Sequence, residues 1–207
     1  MKKPLPLLLA ALAVAVPASV HAQRAWSLNE ATYITSEQID EVNALPGVDR
    51  QIVSRNIGEL NLSVGIIKRG ATSGSMPTGN EEFGERPCGV SAGTPSGARG
   101  IEHYHQTETY VIWSGAGTLV TGGQILYGGE TADDANVTTV LNGKSCSGFI
   151  VGDVKKIDVK EGDVVIIPAG VPHGWANIPD HVEYLSVRPD PDRVLADDYQ
   201  NPAVTLR

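Results

Sequence analysis

Basic residues are scarce in this 207-residue chain and nowhere massed, with 16 lysines and arginines against 24 aspartates and glutamates. No patch of them could neutralise a run of phosphates, which argues against nucleic acid and anionic membranes as partners. Aromatic residues make up only 5%, which weighs slightly against a carbohydrate-binding platform. Beyond the N-terminus, no apolar stretch is long enough to span a membrane. Cys88 and Cys146 are the only cysteines. Both sit in loop-like sequence, and an even pair in an oxidising compartment suggests a disulfide, with two free thiols as the alternative.

The N-terminus fits such a compartment. Lys2 and Lys3 form a basic head, Leu5 to Val16 an apolar core, and Val20-His21-Ala22 an ending that signal peptidase reads. Residues 1–22 are therefore expected to be a signal peptide, with an exported, periplasmic or secreted protein starting at Gln23. Its removal leaves 14 basic against 24 acidic residues, a net charge of about −10.

Thr35-Ser36-Glu37-Gln38, followed by Ile39, Val42 and Leu45, predicts a capped amphipathic helix that Pro46-Gly47 stops. The period then changes. Gln51–Arg55 and Leu60–Lys68 read as strands, and residues 69–100 as a long glycine-rich loop. Short strand-like runs recur at Ile101–His105, Glu108–Trp113, Thr118–Val120, Gln124–Tyr127, Thr138–Leu141, Phe149–Val151, Lys156–Val159, Asp163–Ile167 and Val182–Arg188. Gly, Asn and Asp punctuate them, which predicts an all-β sandwich or barrel. The Gly/Asp/Asn-rich segment 122–150 reads as an inserted hairpin or loop.

Five histidines occur in all, and two of them, His103 and His105, stand one residue apart just ahead of Glu108. In a strand both would share one face. A two-residue turn at Gln106-Thr107 would set Glu108 across from His105 and Tyr110 across from His103, with side chains on that same face. Two imidazoles and a carboxylate suit divalent Mn, Fe, Co, Ni, Cu or Zn. Downstream, an apolar strand from Gly162 runs into Pro168-Ala169-Gly170 and then His173, which offers a fourth ligand. His181 fits no such pattern and is expected at the surface.

These two blocks resemble the paired motifs of the cupin superfamily. The first is Gly, five residues, His-x-His, three or four residues, Glu, six residues, Gly. Gly97, His103, His105, Glu108 and Gly115 match it, except that two residues separate His105 from Glu108. The second is Gly, five residues, Pro-x-Gly, two residues, His, three residues, Asn. Gly162, Pro168, Gly170, His173 and Asn177 match throughout. The resemblance implies a single cupin domain over 23–207, with motif 1 at 97–115 and motif 2 at 162–177. Its fold would be an antiparallel β-barrel of the double-stranded β-helix or jelly-roll type, with the short N-terminal helix in front. It also implies one divalent transition metal held by His103, His105, Glu108 and His173. Glu108 would then serve as ligand and base, with Tyr110, Trp175 and Arg99 lining the substrate pocket.

A four-ligand centre leaves one or two open positions, which can activate water, an enolate or dioxygen. The expected activity is a metal-dependent oxidoreductase, of dioxygenase type, acting on a small organic molecule. A metal-dependent lyase or isomerase is the nearest alternative, and a non-catalytic metal or small-molecule binder the next. Apart from that small molecule, the expected partners include no nucleic acid and no membrane after signal cleavage; a homodimer is left open.

Overall fold

Residues 31–72, 86–95 and 97–205 are described by the structure, a computed structural model. The expected signal segment 1–22, and residues 73–85 of the glycine-rich loop, lie outside the described residues. Helix α1 (Ser36–Asn43) starts as its sequence predicts. Thr35 Oγ1 accepts the Gln38 N–H, and Gln38 Oε1 accepts the Thr35 N–H, so two otherwise orphaned donors are satisfied reciprocally. Its apolar stripe, Ile39 and Val42, packs on Ile52, Val53 and Ile66.

Nine strands follow among the described residues: β1 (Asp49–Asn56), β2 (Asn61–Gly70), β3 (Pro87–Cys88), β4 (Arg99–His103), β5 (Glu108–Glu130), β6 (Ser145–Lys160), β7 (Val164–Ile167), β8 (His173–Asn177) and β9 (His181–Asp190). All pairings between them are antiparallel. One layer runs β1-β2-β9-β5-β7 through the first part of β5. The rest of β5 pairs with β6 and β8, and β4 lies between β6 and β8, so this half closes into a barrel. The all-β barrel with a short N-terminal helix agrees with the sequence expectation.

Strand β5 passes from one layer to the other near Gly115, which sits at φ +76. A side chain there would be strained and would have its Cβ 2.1 Å from the His181 carbonyl oxygen. The apolar interior, with Ile67, Tyr110, Ile112, Leu119, Val182 and Tyr184, fills the space between the layers.

Three local expectations are corrected. Thr138–Leu141 is not a strand: Val137–Leu141 forms a single π-helical turn. Its β-branched residues mimic a strand, but among the described residues it pairs with none. Thr138 Oγ1 donates instead to the Ala132 carbonyl and Thr139 Oγ1 to the Ala135 carbonyl. The cysteines lie in strands β3 and β6 rather than loops, and they are bridged, with Cα atoms 6.0 Å apart. Finally, β4 and β5 do not pair as a hairpin about Gln106-Thr107. They belong to opposite layers, β4 bonding to β6 and β8 and the start of β5 to β7 and β9.

Candidate metal centre

The separation of β4 from β5 builds the site. His103 ends β4 on one layer, and His173 opens β8 on the same layer. Glu108 opens β5 on the facing layer. The turn that delivers His173 is fixed onto β4, because Gly170 N–H donates to the His103 carbonyl at 2.8 Å. All three side chains are buried, and one donor atom from each lies within 4.8 Å of the others. Glu108 Oε2 stands 3.2 Å from His103 Nε2 and 3.1 Å from His173 Nε2.

Hydrogen bonds on the far ring nitrogens assign the tautomers. Ser145 Oγ donates to the Gly143 carbonyl at 2.9 Å, so it accepts from His103 Nδ1 at 2.7 Å. His173 Nδ1 lies 2.9 Å from the Val171 carbonyl, which can only accept. Both rings therefore donate from Nδ1 and turn Nε2, the nitrogen through which a neutral imidazole would ligate, toward Glu108 Oε2. His173 Nε2 is buried, and despite its short distance to Glu108 it makes no aligned hydrogen bond.

Glu108 is held as an anion. Oε1 accepts from Ser186 Oγ at 2.7 Å, Asn142 Nδ2 at 2.9 Å and Arg188 Nε at 3.0 Å, while Oε2 accepts from Tyr110 Oη at 2.9 Å. Burial raises its pKa, but His103, His173 and the Arg188 guanidinium outweigh it and keep the carboxyl well below the usual carboxylate range. Burial pushes the His103 imidazole down, against the pull of Glu108. Two imidazole Nε2 atoms and a carboxylate oxygen thus face one another across about 3 Å, an arrangement that a cation bound by deprotonated rings would satisfy. The residues fit a divalent ion. The low pKa suits an anionic ligand and makes Glu108 a weak proton acceptor at neutral pH.

His105 does not join them. Strand β4 ends at His103, so the alternation that would turn His105 inward stops there. Its side chain is 47% exposed, and Nδ1 pairs with Asp192 at 2.5 Å. This also removes the short motif spacing. With His103 at the second histidine position, four residues precede Glu108 and six separate Glu108 from Gly115. Ile101 then occupies the first histidine position, where it lines the cavity and is the Cα partner of His173.

A cavity of about 600 Å³ opens onto the three donors. Tyr110, Trp175 and Arg99 line it. Tyr110 packs on Tyr184 with ring centroids 4.2 Å apart, and Trp175 Nε1 donates to Tyr184 Oη at 3.3 Å. Asn177 lies exposed at the end of β8, and His181 Nε2 meets Ser114 Oγ at 3.0 Å away from the centre. Sequence reasoning missed Arg188, Ser186 and Asn142, which hold Glu108, and Arg69, which also lines the cavity.

The cupin family model matches residues 130–197, about a third of the chain, including the second motif and its histidine. Over that stretch the chain is similar to the cupin family, in agreement with the resemblance carried by its two motifs. Solved structures similar to this chain include a protein from Bacillus halodurans, 14% identical over 86% of this chain and 89% of that one, at a TM-score of 0.38. A Klebsiella pneumoniae protein with a double-stranded β-helix domain is 15% identical over 79% and 93%, at 0.37. KdgF from Halomonas sp. is 11% identical over 71% and 83%, at 0.34. Likeness this distant carries nothing about the activity of the present chain. Among curated protein sequences, none matches it.

Proposed function

We propose that this protein is an exported metal-dependent enzyme that transforms a small organic molecule in the cavity above His103, Glu108 and His173. The observation that carries the reading is the convergence of two imidazole nitrogens and one carboxylate oxygen at a buried point open to a cavity of metabolite size. Two histidines and one carboxylate form a donor set suited to non-haem iron and dioxygen chemistry, which favours an oxidoreductase of dioxygenase type. A divalent ion bound there would supply a Lewis-acid centre with open positions for a substrate oxygen or for dioxygen.

The chain's own groups supply the rest. Ser145 and the Val171 carbonyl orient the two imidazoles, and Arg188, Ser186 and Asn142 fix Glu108 by its remote oxygen. Tyr110 bridges Glu108 and the cavity wall. Apolar residues such as Ile67, Ile101 and Ile178 keep the chamber partly dry. The N-terminal segment and the Cys88–Cys146 bridge both favour an oxidising compartment.

The test is metal analysis of protein purified from that compartment, followed by oxygen-uptake assays against phenolic and keto-acid substrates. One transition-metal ion per chain, with oxygen consumption that disappears on chelation, is expected. Stoichiometric metal without oxygen uptake or turnover would leave a binder and contradict the enzymatic reading.

A further inference from the structure

The walls of the cavity carry more positive than negative charge left to interact. Its two acids, Asp49 and Glu108, are both engaged by one buried guanidinium: Arg188 Nη2 is 2.5 Å from Asp49, and Nε is 3.0 Å from Glu108. Lys68 is neutralised by Glu183 at 2.6 Å. Arg69 is different. It follows Gly65 and Ile67 on the face of β2 that turns into the barrel, since alternate strand residues share a face. Its Nε donates to Tyr184 Oη at 3.2 Å, and that hydroxyl also receives Trp175 Nε1. The guanidinium is thereby anchored by one edge at the cavity rim, on a stretch of β2 that is exposed, and among the described residues Nη1 and Nη2 are left over. Among the described residues no carboxylate pairs with it. Arg86, Arg188 and Arg193, in contrast, each meet an aspartate.

From this arrangement we infer that the cavity takes an organic carboxylate, with Arg69 gripping the carboxylate group and the body of the molecule directed toward His103, Glu108 and His173. A planar guanidinium held by Nε presents its two terminal nitrogens as a fork that matches a carboxylate. One arginine suits one negative charge. The remaining wall, with Val48, Ile67, Ile101, Leu141, Trp175 and Ile178, suits an apolar or aromatic body. The volume of about 600 Å³ is that of a metabolite-sized ligand. The inference deepens the proposed function and rests on its reading of this cavity as the substrate chamber.

The experiment is calorimetric titration of metal-free protein with matched pairs of organic acids and their primary amides, from acetate to phenylpropionate, plus phenyl phosphate. Using metal-free protein removes any ligation of the acid by an ion, so carboxylate recognition is read apart from metal binding. The acid of at least one pair should bind about tenfold more tightly than its amide. Arg69→Gln should abolish that preference, and Arg69→Lys should retain part of it, because charge remains but the fork is lost. Equal binding of acid and amide in every pair, or no binding by any, overturns the inference. So does an acid preference that survives Arg69→Gln and is lost instead in Arg99→Gln, or an Arg69-dependent preference for phenyl phosphate over the acids. An Arg69-dependent acid preference in a protein that takes up no metal would uphold this inference while contradicting the proposed metalloenzyme.

Discussion

Arg188 Nε lies 3.0 Å from Glu108 Oε1, and both side chains are buried. The same guanidinium holds Asp49 by Nη2 and Gln51 Oε1 by Nη1. One cation thus compensates two carboxylates beneath the candidate centre. Replacing it with a neutral residue of similar size leaves buried Glu108 and half-buried Asp49 without their cation, and breaking a buried pair typically costs about 3–5 kcal/mol. Arg188→Met is expected to lower the urea midpoint by a corresponding amount, and it should also weaken metal uptake through a misplaced Glu108. Equilibrium denaturation of the variant checks this; an unchanged midpoint contradicts it.

The room for that guanidinium comes from Gly65. A Cβ there would lie 2.9 Å from Arg188 Nη1 and 3.1 Å from the Arg50 carbonyl oxygen. With Arg188 pinned at several points the clash cannot relax easily, so Gly65→Ala should destabilise by about 1–3 kcal/mol. Thermal and urea unfolding of this single variant decide the matter.

The pH dependence of stability of the metal-free protein has a definite sign. His103 has its folded pKa lowered by burial, so the unfolded chain takes up the proton first as pH falls below about 6.5, and stability drops there. Glu108 has its folded pKa lowered as well. Its contribution is present above the unfolded value of about 4.3 and is lost as pH falls through the folded value. Asp49, raised by burial, works in the opposite direction. Urea midpoints measured from pH 8 to pH 4 should therefore decline below about 6.5 in the wild type, and His103→Gln should flatten the first part of the decline. A wild-type midpoint that rises on acidification through that range contradicts the assignment.

The disulfide ties β3 to β6 across a sequence separation of 58. Closing a loop of that length stabilises by about 4 kcal/mol in the chain-entropy model. Cys146 is followed back by Ser145, whose hydroxyl holds His103 Nδ1. The Cys88→Ser, Cys146→Ser protein is expected to lose roughly that stability, read by calorimetry or urea unfolding against the oxidised wild type. A loss below about 1 kcal/mol would show that the bridge constrains the unfolded chain little.

Parts of this arrangement are legible from local sequence and parts are not. The second histidine motif is local: a Pro-x-Gly turn delivers His173 to the start of a strand, and residue spacing alone carries that. The fate of His105 is a tertiary matter, because it depends on β4 ending at His103 and the chain crossing to the other layer. Strand β9 reads inside out. Leu185 and Val187 would ordinarily turn inward, yet Tyr184, Ser186 and Arg188 are the buried set, since they serve the polar site. Thr138–Leu141 has strand-forming residues that pair with no strand among the described residues. Arg69 leaves a signal in the alternation Gly65, Ile67, Arg69, once Ile67 is known to face the core.

Metal content after single histidine replacements tests the central claim most directly. Wild type and the variants His103→Ala, His105→Ala and His173→Ala would each be loaded with a divalent transition metal, desalted and assayed for metal per chain. The structure predicts near-complete retention in His105→Ala, whose side chain faces solvent and Asp192, and loss of most metal in His103→Ala and His173→Ala. Loss of metal in His105→Ala as complete as in His173→Ala would contradict the account.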